Sequence, residues 1–225
     1  MDINSFMQTA SAYALPVLFA ITLHEAAHAY SANHFGDPTA ADEGHLSLNP
    51  LNHISLFGTI LLPLIMVMMS LPPLGYAKPV PVEIDKLRDP KLHSACVAAA
   101  GPAANLLMGV GWMVVWVVLK HALGMDGHDF FVKMAEAGVA INSVMIVVNL
   151  IPIPPLDGGG ILMGILPDII SRKLEWFDRH PLVIIIPLLA LVNYPPVLQF
   201  LIECTYAVQR VFHMAVQPLL ALLLP

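Results

Sequence analysis

Residues 10–32 read ASAYALPVLFAITLHEAAHAYSA, and this stretch decides the fold. It is apolar except near its end, where HEAAH occupies positions 24–28. About 20 predominantly apolar residues suffice for a helix to cross a bilayer, so the stretch predicts a membrane helix. The residues before it carry no Lys or Arg, and the apolar run continues into the motif. We therefore interpret it as a retained helix rather than a cleaved signal peptide.

The HEAAH motif places two imidazoles and a carboxylate on this helix. Positions i and i+4 share one helix face, so His24 and His28 can reach one metal ion with Glu25 beside them. Water bound to zinc becomes acidic, and a neighbouring carboxylate can take its proton during attack on a carbonyl carbon. A charged side chain at the bilayer centre costs from about 2.5 to more than 10 kcal/mol. Three ionisable residues there need a partner, and we favour a metal site over a structural polar cluster.

The composition extends the membrane assignment to the whole chain. Of its 225 residues, 57% are hydrophobic and 12% are charged, with mean hydropathy +0.74. Soluble domains carry about 25% charged residues. The net charge of -6 and the absence of a basic cluster argue against nucleic-acid binding. We expect an all-α membrane protein with one domain over 1–225, comprising a core at 10–166 and C-terminal helices at 181–225.

The other apolar runs predict a polytopic helical bundle of about five to six membrane segments. They lie at about 56–71, 94–119 and 134–151, with one or two more after 181. Residues 44–48 alternate polar and apolar side chains, which predicts a short β element after the first helix. The 56–71 run is short and contains a proline, so we expect a re-entrant hairpin, with a full crossing as the alternative.

The Lys and Arg residues predict the orientation. Four lie in the loop at 72–91 and three in the patch at 171–180, whereas the N-terminal tail has none. Because cytoplasmic loops are enriched in Lys and Arg, both basic loops are expected in the cytoplasm and the N-terminus outside.

The region after the apolar run at 134–151 offers a candidate for a third metal ligand. Residues 152–160 read PIPPLDGGG, where a helix cannot continue. Irregular backbone at membrane depth is tolerated only where protein or water covers it, which suits an active-site loop. Asp157 is the outstanding acid there, but it could instead cap a helix that begins at Gly158. The residues alone leave both interpretations open.

Three motifs in this order resemble those of the site-2 protease family of intramembrane metalloproteases. They are HEAAH at 24–28, GPAAN at 101–105 and NLIPIPPLDG at 149–158, and the KPVPV loop at 78–82 resembles that of short, stand-alone bacterial members. The resemblance covers about 15–166. It implies a zinc metalloendopeptidase in the lipid bilayer of a bacterial inner membrane, which cleaves transmembrane segments of membrane proteins.

The resemblance also implies roles for individual residues. His24, His28 and Asp157 would bind one Zn²⁺ per chain, and Glu25 would be the catalytic base. Asn105 and Asn149 match polar motif positions, and we expect them to support the loop or the substrate backbone. For Asn105 the alternative is helix packing beside small residues.

The sequence leaves several alternatives open. A second metal site could involve the histidines after the first helix, namely His34, His45 and His53, although solvated or interfacial positions are favoured. Nothing resembles the PDZ or CBS modules that many family members carry, so regulation would come from elsewhere, such as a separate regulatory protein. The competing functions are a metal-ion transporter and a non-catalytic membrane scaffold. Against the transporter, the chain shows neither repeated halves nor a polar path through the bilayer.

Overall fold

The fold of the described residues is helical. The computed structural model describes residues 3–47, 80–178 and 193–223, together with the single positions 61, 180, 183, 187 and 191. The α-helices in these parts are α1 Ile3–Phe35, α2 Thr39–Asp42, α3 Pro90–Val117, α4 Phe130–Asn149, α5 Asp157–Ile165, α6 Asp168–Asp178 and α7 Pro195–Leu223. A 3-10 turn at Ile84–Lys86 precedes α3, and a π turn at Val118–Ala122 extends it.

Within the described parts of the chain, three stretches are long and apolar enough to cross a membrane. They are Met7–Phe35, Pro90–Ala122 and Phe130–Asn149. They correspond to the first, third and fourth apolar runs of the sequence, so these three predictions are confirmed as apolar helices of sufficient length. At about 1.5 Å per residue, each exceeds or equals the roughly 30 Å of a hydrocarbon core.

Local sequence signals set several of the helix boundaries. Asp89 caps α3, because its side chain accepts a hydrogen bond from the backbone N–H of Leu92 at 3.1 Å, and Pro90 occupies the first turn. Gly36 follows α1 with φ 113°, a conformation that suits glycine. The prolines at 195 and 196 begin α7, where their missing N–H groups leave no intrahelical bond unmade.

Helix α3 lies at the centre of the packing and contacts α1, α4, α5 and α7. Its apolar cluster with α4 and α7 consists of Met113, Val117, Val139, Ile146, Phe212 and Val216. The Phe212 ring lies against Gly109, where an added Cβ would be 2.2 Å from the ring. Helix α5 approaches α3 as closely, with Gly164 facing Ala95. Small residues on α3 and α5 therefore let these helices pack closely.

The connection from α1 to α3 begins and ends at the same end of the bundle. The backbone N–H of Arg88 donates to the carbonyl oxygen of Phe35 at 3.0 Å. Lys91, at the start of α3, forms a 2.7 Å ion pair with Asp168 at the start of α6. The end of α1 and the starts of α3 and α6 thus lie together.

Other expectations about the fold fare differently. The short β element is not confirmed, because residues 44–46 form a turn and 48 lies outside the described residues. The 56–71 hairpin lies outside them too, apart from position 61. The count of five to six segments is not confirmed, since three candidate spans are found in the described parts. The polar patch at 171–180 was not predicted as a helix, but most of it belongs to α6.

Candidate metal centre

The two histidines of the HEAAH motif meet on one face of α1. Their Nε2 atoms lie 3.1 Å apart, and the rings are edge to face with centroids 4.7 Å apart. His24 is buried, and the His28 side chain is 12% exposed. The i, i+4 spacing therefore brings both imidazoles to one point beside α3.

Asp157 joins them from α5, which follows the proline-rich break. Its Oδ2 lies 3.1 Å from His24 Nε2, and its Oδ1 lies 3.3 Å from His28 Nε2. Asp157 is itself the first residue of α5, and no side chain caps this helix. The carboxylate points at the imidazoles, so the helix-cap interpretation is wrong.

The glycines after Asp157 let the loop fold back tightly on the start of α5. A Cβ on Gly158 would lie 2.5 Å from the carbonyl oxygen of Ile151. A Cβ on Gly159 would lie 2.3 Å from the backbone nitrogen of Pro154. These contacts are with backbone atoms, which cannot move aside as a side chain can. Gly158 and Gly159 therefore leave the room that this loop needs to pack against the start of α5, where Asp157 lies.

Hydrogen bonds on the far side of each ring settle which imidazole nitrogen carries hydrogen. His28 Nδ1 lies 2.7 Å from the carbonyl oxygen of Val97, which can only accept, so Nδ1 is the donor. His24 Nδ1 lies 2.6 Å from Asn105 Oδ1, which also accepts. In the neutral rings both Nε2 atoms therefore present lone pairs to each other and to the Asp157 carboxylate.

This donor set fits a metal ion. Two lone pairs and a carboxylate face one another at 3.1–3.3 Å, and the buried Oδ2 of Asp157 accepts no hydrogen bond among the described residues. Either protons or a cation must offset their repulsion. Zinc ligands at about 2.0–2.1 Å in tetrahedral geometry lie about 3.3 Å apart. Each Nε2 atom thus lies at about this separation from the other Nε2 atom and from one of the two carboxylate oxygens. With one ligand atom taken from each residue, the three atoms lie within 4.8 Å of one another.

Gly101 makes room for the two imidazoles. A Cβ at this position on α3 would lie 2.5 Å from both His24 Cε1 and His28 Nε2. Both rings consequently pack directly against the α3 backbone. The GPAAN motif therefore contributes twice to the centre, through the space at Gly101 and through the Asn105 side chain one turn later.

Glu25 lies at the edge of a cavity of about 880 Å³ that also reaches the metal centre. Its Oε2 accepts a 3.3 Å hydrogen bond from the backbone N–H of Val80. The walls come from α1, residues 80–85, the start of α3, the end of α4, the loop before α5, α5 itself and α6. The cavity is large enough for a short peptide segment, and Glu25 faces it beside the candidate ligands.

The two predicted asparagines lie in different places. Asn105 is buried and bonded to His24, so helix packing alone does not describe it. Asn149, the last residue of α4, lines the cavity. Sequence reasoning missed Asn142, which is fully buried and donates to the Gly138 carbonyl oxygen while accepting from Asn105. A polar residue inside an apolar run was the available signal.

Among the described residues, the other histidines form no second group of metal ligands. His34 packs edge to face on Phe35, and His45 Nε2 lies 3.6 Å from a carboxylate oxygen of Glu43. His53 lies outside the described residues. Within the described parts of the chain, His24, His28 and Asp157 form the one group of three or more such ligands close enough to share a metal ion.

Comparison with known proteins places these residues in a family. The chain is 34% identical over 182 residues to a protein named "Putative zinc metalloprotease YwhC" from Bacillus subtilis (strain 168), covering 77% of this chain and 78% of that protein. It is 30% identical over 176 residues to "Putative zinc metalloprotease Rip2" from Mycolicibacterium smegmatis, covering 76% and 64%. Rip2 from Mycobacterium tuberculosis (strain ATCC 25618 / H37Rv) is 28% identical over 146 residues, covering 63% and 52%. No family model and no solved structure matches.

The fold and the site together define a helical membrane protein with a candidate metal centre of two histidines and an aspartate. The similarity to YwhC covers more than three quarters of both chains. This chain therefore belongs to the zinc metalloprotease family that includes YwhC.

Proposed function

We propose that the protein is an intramembrane zinc metalloendopeptidase of the site-2 protease type, which cleaves transmembrane segments of membrane proteins in a bacterial inner membrane. One observation carries the proposal: three candidate zinc ligands converge on a membrane helix next to a carboxylate that faces a cavity. No specific observation favours the alternative functions, which are metal transport and a non-catalytic scaffold.

The proposed ligands are His24, His28 and Asp157. When bound by these residues, Zn²⁺ would supply Lewis acidity and would make a nearby water molecule easier to deprotonate. The protein keeps both Nε2 atoms directed at this point, since the carbonyl oxygen of Val97 and the amide oxygen of Asn105 accept from the opposite ring nitrogens.

Glu25 is the proposed general base and acid. Its Oε2 is held by the N–H of Val80, which leaves Oε1 to take a proton from the attacking water. The same carboxyl then gives that proton to the leaving amine, so the base is regenerated in each cycle. General acid–base catalysis of this kind contributes typically about 10²–10⁴-fold to the rate.

The substrate is proposed to enter the cavity as an extended peptide. A carbonyl inside a helix is already hydrogen-bonded and shielded, so a transmembrane segment has to unwind before attack. The cavity wall combines apolar side chains such as Val82 and Met163 with polar groups at Asn149 and Ser171. We propose that Asn149 contacts the substrate backbone, while apolar residues accept its side chains.

The proposed topology places the basic loops in the cytoplasm. The hydrogen bond between Arg88 and Phe35 places the start of α3 beside the end of α1, at the same end of the bundle. This supports a segment that turns back between α1 and α3 over one that crosses once. Labelling single cysteines at Ser5 and Asp85 from each side of the membrane tests it, and labelling of both from one side contradicts it.

Replacing Glu25 with Gln tests the mechanism. The variant removes the proton acceptor but keeps the ligands, so we expect unchanged zinc content and cleavage reduced by at least about 10²-fold. Cleavage of a transmembrane peptide is measured in proteoliposomes, with Glu203→Gln on the exposed face of α7 as the matched control. Retained cleavage in Glu25→Gln would contradict the mechanism.

The same proteoliposomes separate the competing functions. Zinc flux without peptide cleavage supports a transporter, and neither activity supports a scaffold. Mass spectrometry of membrane peptides from cells expressing wild type or Glu25→Gln then identifies the cleaved segments.

A further inference from the structure

A chain of buried hydrogen bonds connects α4 to the metal centre. Asn142 Nδ2 donates to the Gly138 carbonyl oxygen at 2.8 Å. Asn105 Nδ2 donates to Asn142 Oδ1 at 2.9 Å, and His24 Nδ1 lies 2.6 Å from Asn105 Oδ1. Asn142 and Asn105 are fully buried and His24 is 5% exposed. This series of hydrogen bonds thus lies in an interior that excludes water, where each donor needs an acceptor.

The donors and acceptors of these hydrogen bonds can be arranged in one consistent order from Gly138 to His24. The Gly138 carbonyl can only accept, so the Asn142 amino group must point to it and Asn142 Oδ1 must point away. Asn105 then presents its amino group to Asn142, which leaves its oxygen for His24. The carbonyl oxygen of Ala20, 3.2 Å from Asn105 Nδ2, favours the same orientation. With oxygen beside it, His24 Nδ1 carries the hydrogen and Nε2 is bare.

We propose that Asn142 is a positioning residue for the metal centre, which acts through Asn105 to keep His24 Nε2 available as a ligand atom. The inference rests on the proposed metal site. Reversal of the Asn105 amide would present N–H groups to His24 Nδ1, drive the hydrogen to Nε2 and block the ligand lone pair. Asn142 opposes this reversal because its oxygen would then face the Asn105 oxygen.

Asn142→Leu tests the proposal, since it removes the oxygen while keeping similar bulk. Loss of outer hydrogen-bond partners lowers metal affinity by about 10–100-fold in comparable sites, and we expect a loss of about 10-fold. Zinc affinity is measured by competition with a chelator in detergent. Ser143→Ala is the matched control, because Ser143 is equally buried but its hydroxyl donates to the Val139 carbonyl oxygen of its own helix. Its affinity should equal that of wild type.

An Asn105→Asp background distinguishes positioning from general damage. Both carboxylate oxygens accept, so the partner of His24 Nδ1 no longer depends on Asn142. We expect Asn142→Leu to cost no further affinity in this background, which is non-additivity of the two changes. If Asn142→Leu does not fold, Asn142→Ala replaces it in both backgrounds.

Two results would overturn the role of Asn142. One is wild-type zinc affinity in Asn142→Leu, and the other is an equal loss whether or not Asn105→Asp is also present. A wild-type protein that binds no zinc would instead overturn the proposed metal centre, and this inference with it. The chelator titration of wild type therefore separates the two failures.

Discussion

Two aspartates, Asp37 and Asp157, have opposite surroundings. Asp37 follows α1 and faces hydrogen-bond donors: the N–H and hydroxyl of Thr39 at 3.0 and 2.6 Å, and the N–H of Glu83 at 2.7 Å. Asp157 begins α5 and faces the Nε2 atoms of His24 and His28, which carry lone pairs in the neutral rings. Among the described residues, backbone and hydroxyl donors satisfy the Asp37 carboxylate, whereas the buried Oδ2 of Asp157 accepts no hydrogen bond.

This difference separates a structural carboxylate from a metal ligand. Asp37 ties the segment before α3 to the end of α1, and ionisation suits it because every contact is with a donor. Asp157 sits among acceptors, an arrangement that is unfavourable until a proton or a cation enters. The surroundings, rather than burial or sequence position, decide the role of each aspartate.

Asp157→Asn is expected to have the largest effect. It removes the charged ligand at constant size, so zinc affinity should fall by more than the roughly 100-fold upper limit for outer-shell changes, and peptide cleavage should fall to background. Chelator competition measures the zinc affinity, and the peptide assay in proteoliposomes measures cleavage. Asp37→Asn is the matched control and should bind zinc as wild type does. Equal zinc affinity in the two variants would contradict the distinction between Asp37 as a structural carboxylate and Asp157 as a metal ligand.

Gly101→Ala tests whether the imidazoles need direct contact with α3. The added methyl group would lie 2.5 Å from His24 Cε1 and His28 Nε2, so the rings must move and zinc affinity should fall by about 10–100-fold. Gly111→Ala on the same helix meets nothing within 4 Å and serves as the control. If both variants bind zinc equally well, the close approach at Gly101 is unimportant.

Asp37→Asn should affect stability instead of metal binding. An amide at this position sets an N–H group against a donor, leaving a buried donor unsatisfied at a cost of about 1–3 kcal/mol. The free energy of unfolding is measured in detergent micelles by titration with a denaturing detergent. Wild-type stability in this variant would show that the bonds to Thr39 and Glu83 contribute little.

The pH dependence should be the smallest effect and is expected for Asp37. Burial alone would raise the pKa of Asp37, but the hydrogen bonds from Thr39 and Glu83, with the charge of Lys86, outweigh it and hold the pKa below its ordinary value. The stabilisation is therefore complete above about pH 4 and is lost as the pH falls through the lower, folded-state pKa. The stability difference between wild type and Asp37→Asn should shrink in this acidic range. A difference that stays constant down to about pH 2 contradicts the assignment.

The sequence predicted the helices better than it predicted their contacts. The apolar runs and the HEAAH spacing are local signals, and they predicted three helices and the shared face of His24 and His28. The pairing of Asp157 with these residues joins distant parts of the chain and was expected chiefly from the family resemblance. Nothing local indicated that Asp37 would bond Glu83, since that contact depends on how the chain returns to α3.

Asn142 is a second case in which the sequence indicates a residue's environment but not its partner. One asparagine in an apolar helix indicates a buried polar contact, but its partner is fixed by the packing of α3 on α4. The short β element predicted from the alternation at 44–48 is not confirmed, and the reason is local. A two-residue period is weak evidence over so short a stretch, and at 44–46 the local backbone forms a turn instead.

X-ray absorption spectroscopy of the zinc-loaded protein tests the central claim most directly. We predict one zinc per chain with two imidazole nitrogens at about 2.0–2.1 Å, oxygen ligands at about 2.0–2.2 Å and no sulfur. In Asp157→Asn this signature should disappear. Sulfur at about 2.3 Å, which would implicate Cys96 or Cys204, or a spectrum unchanged by Asp157→Asn, would contradict the account.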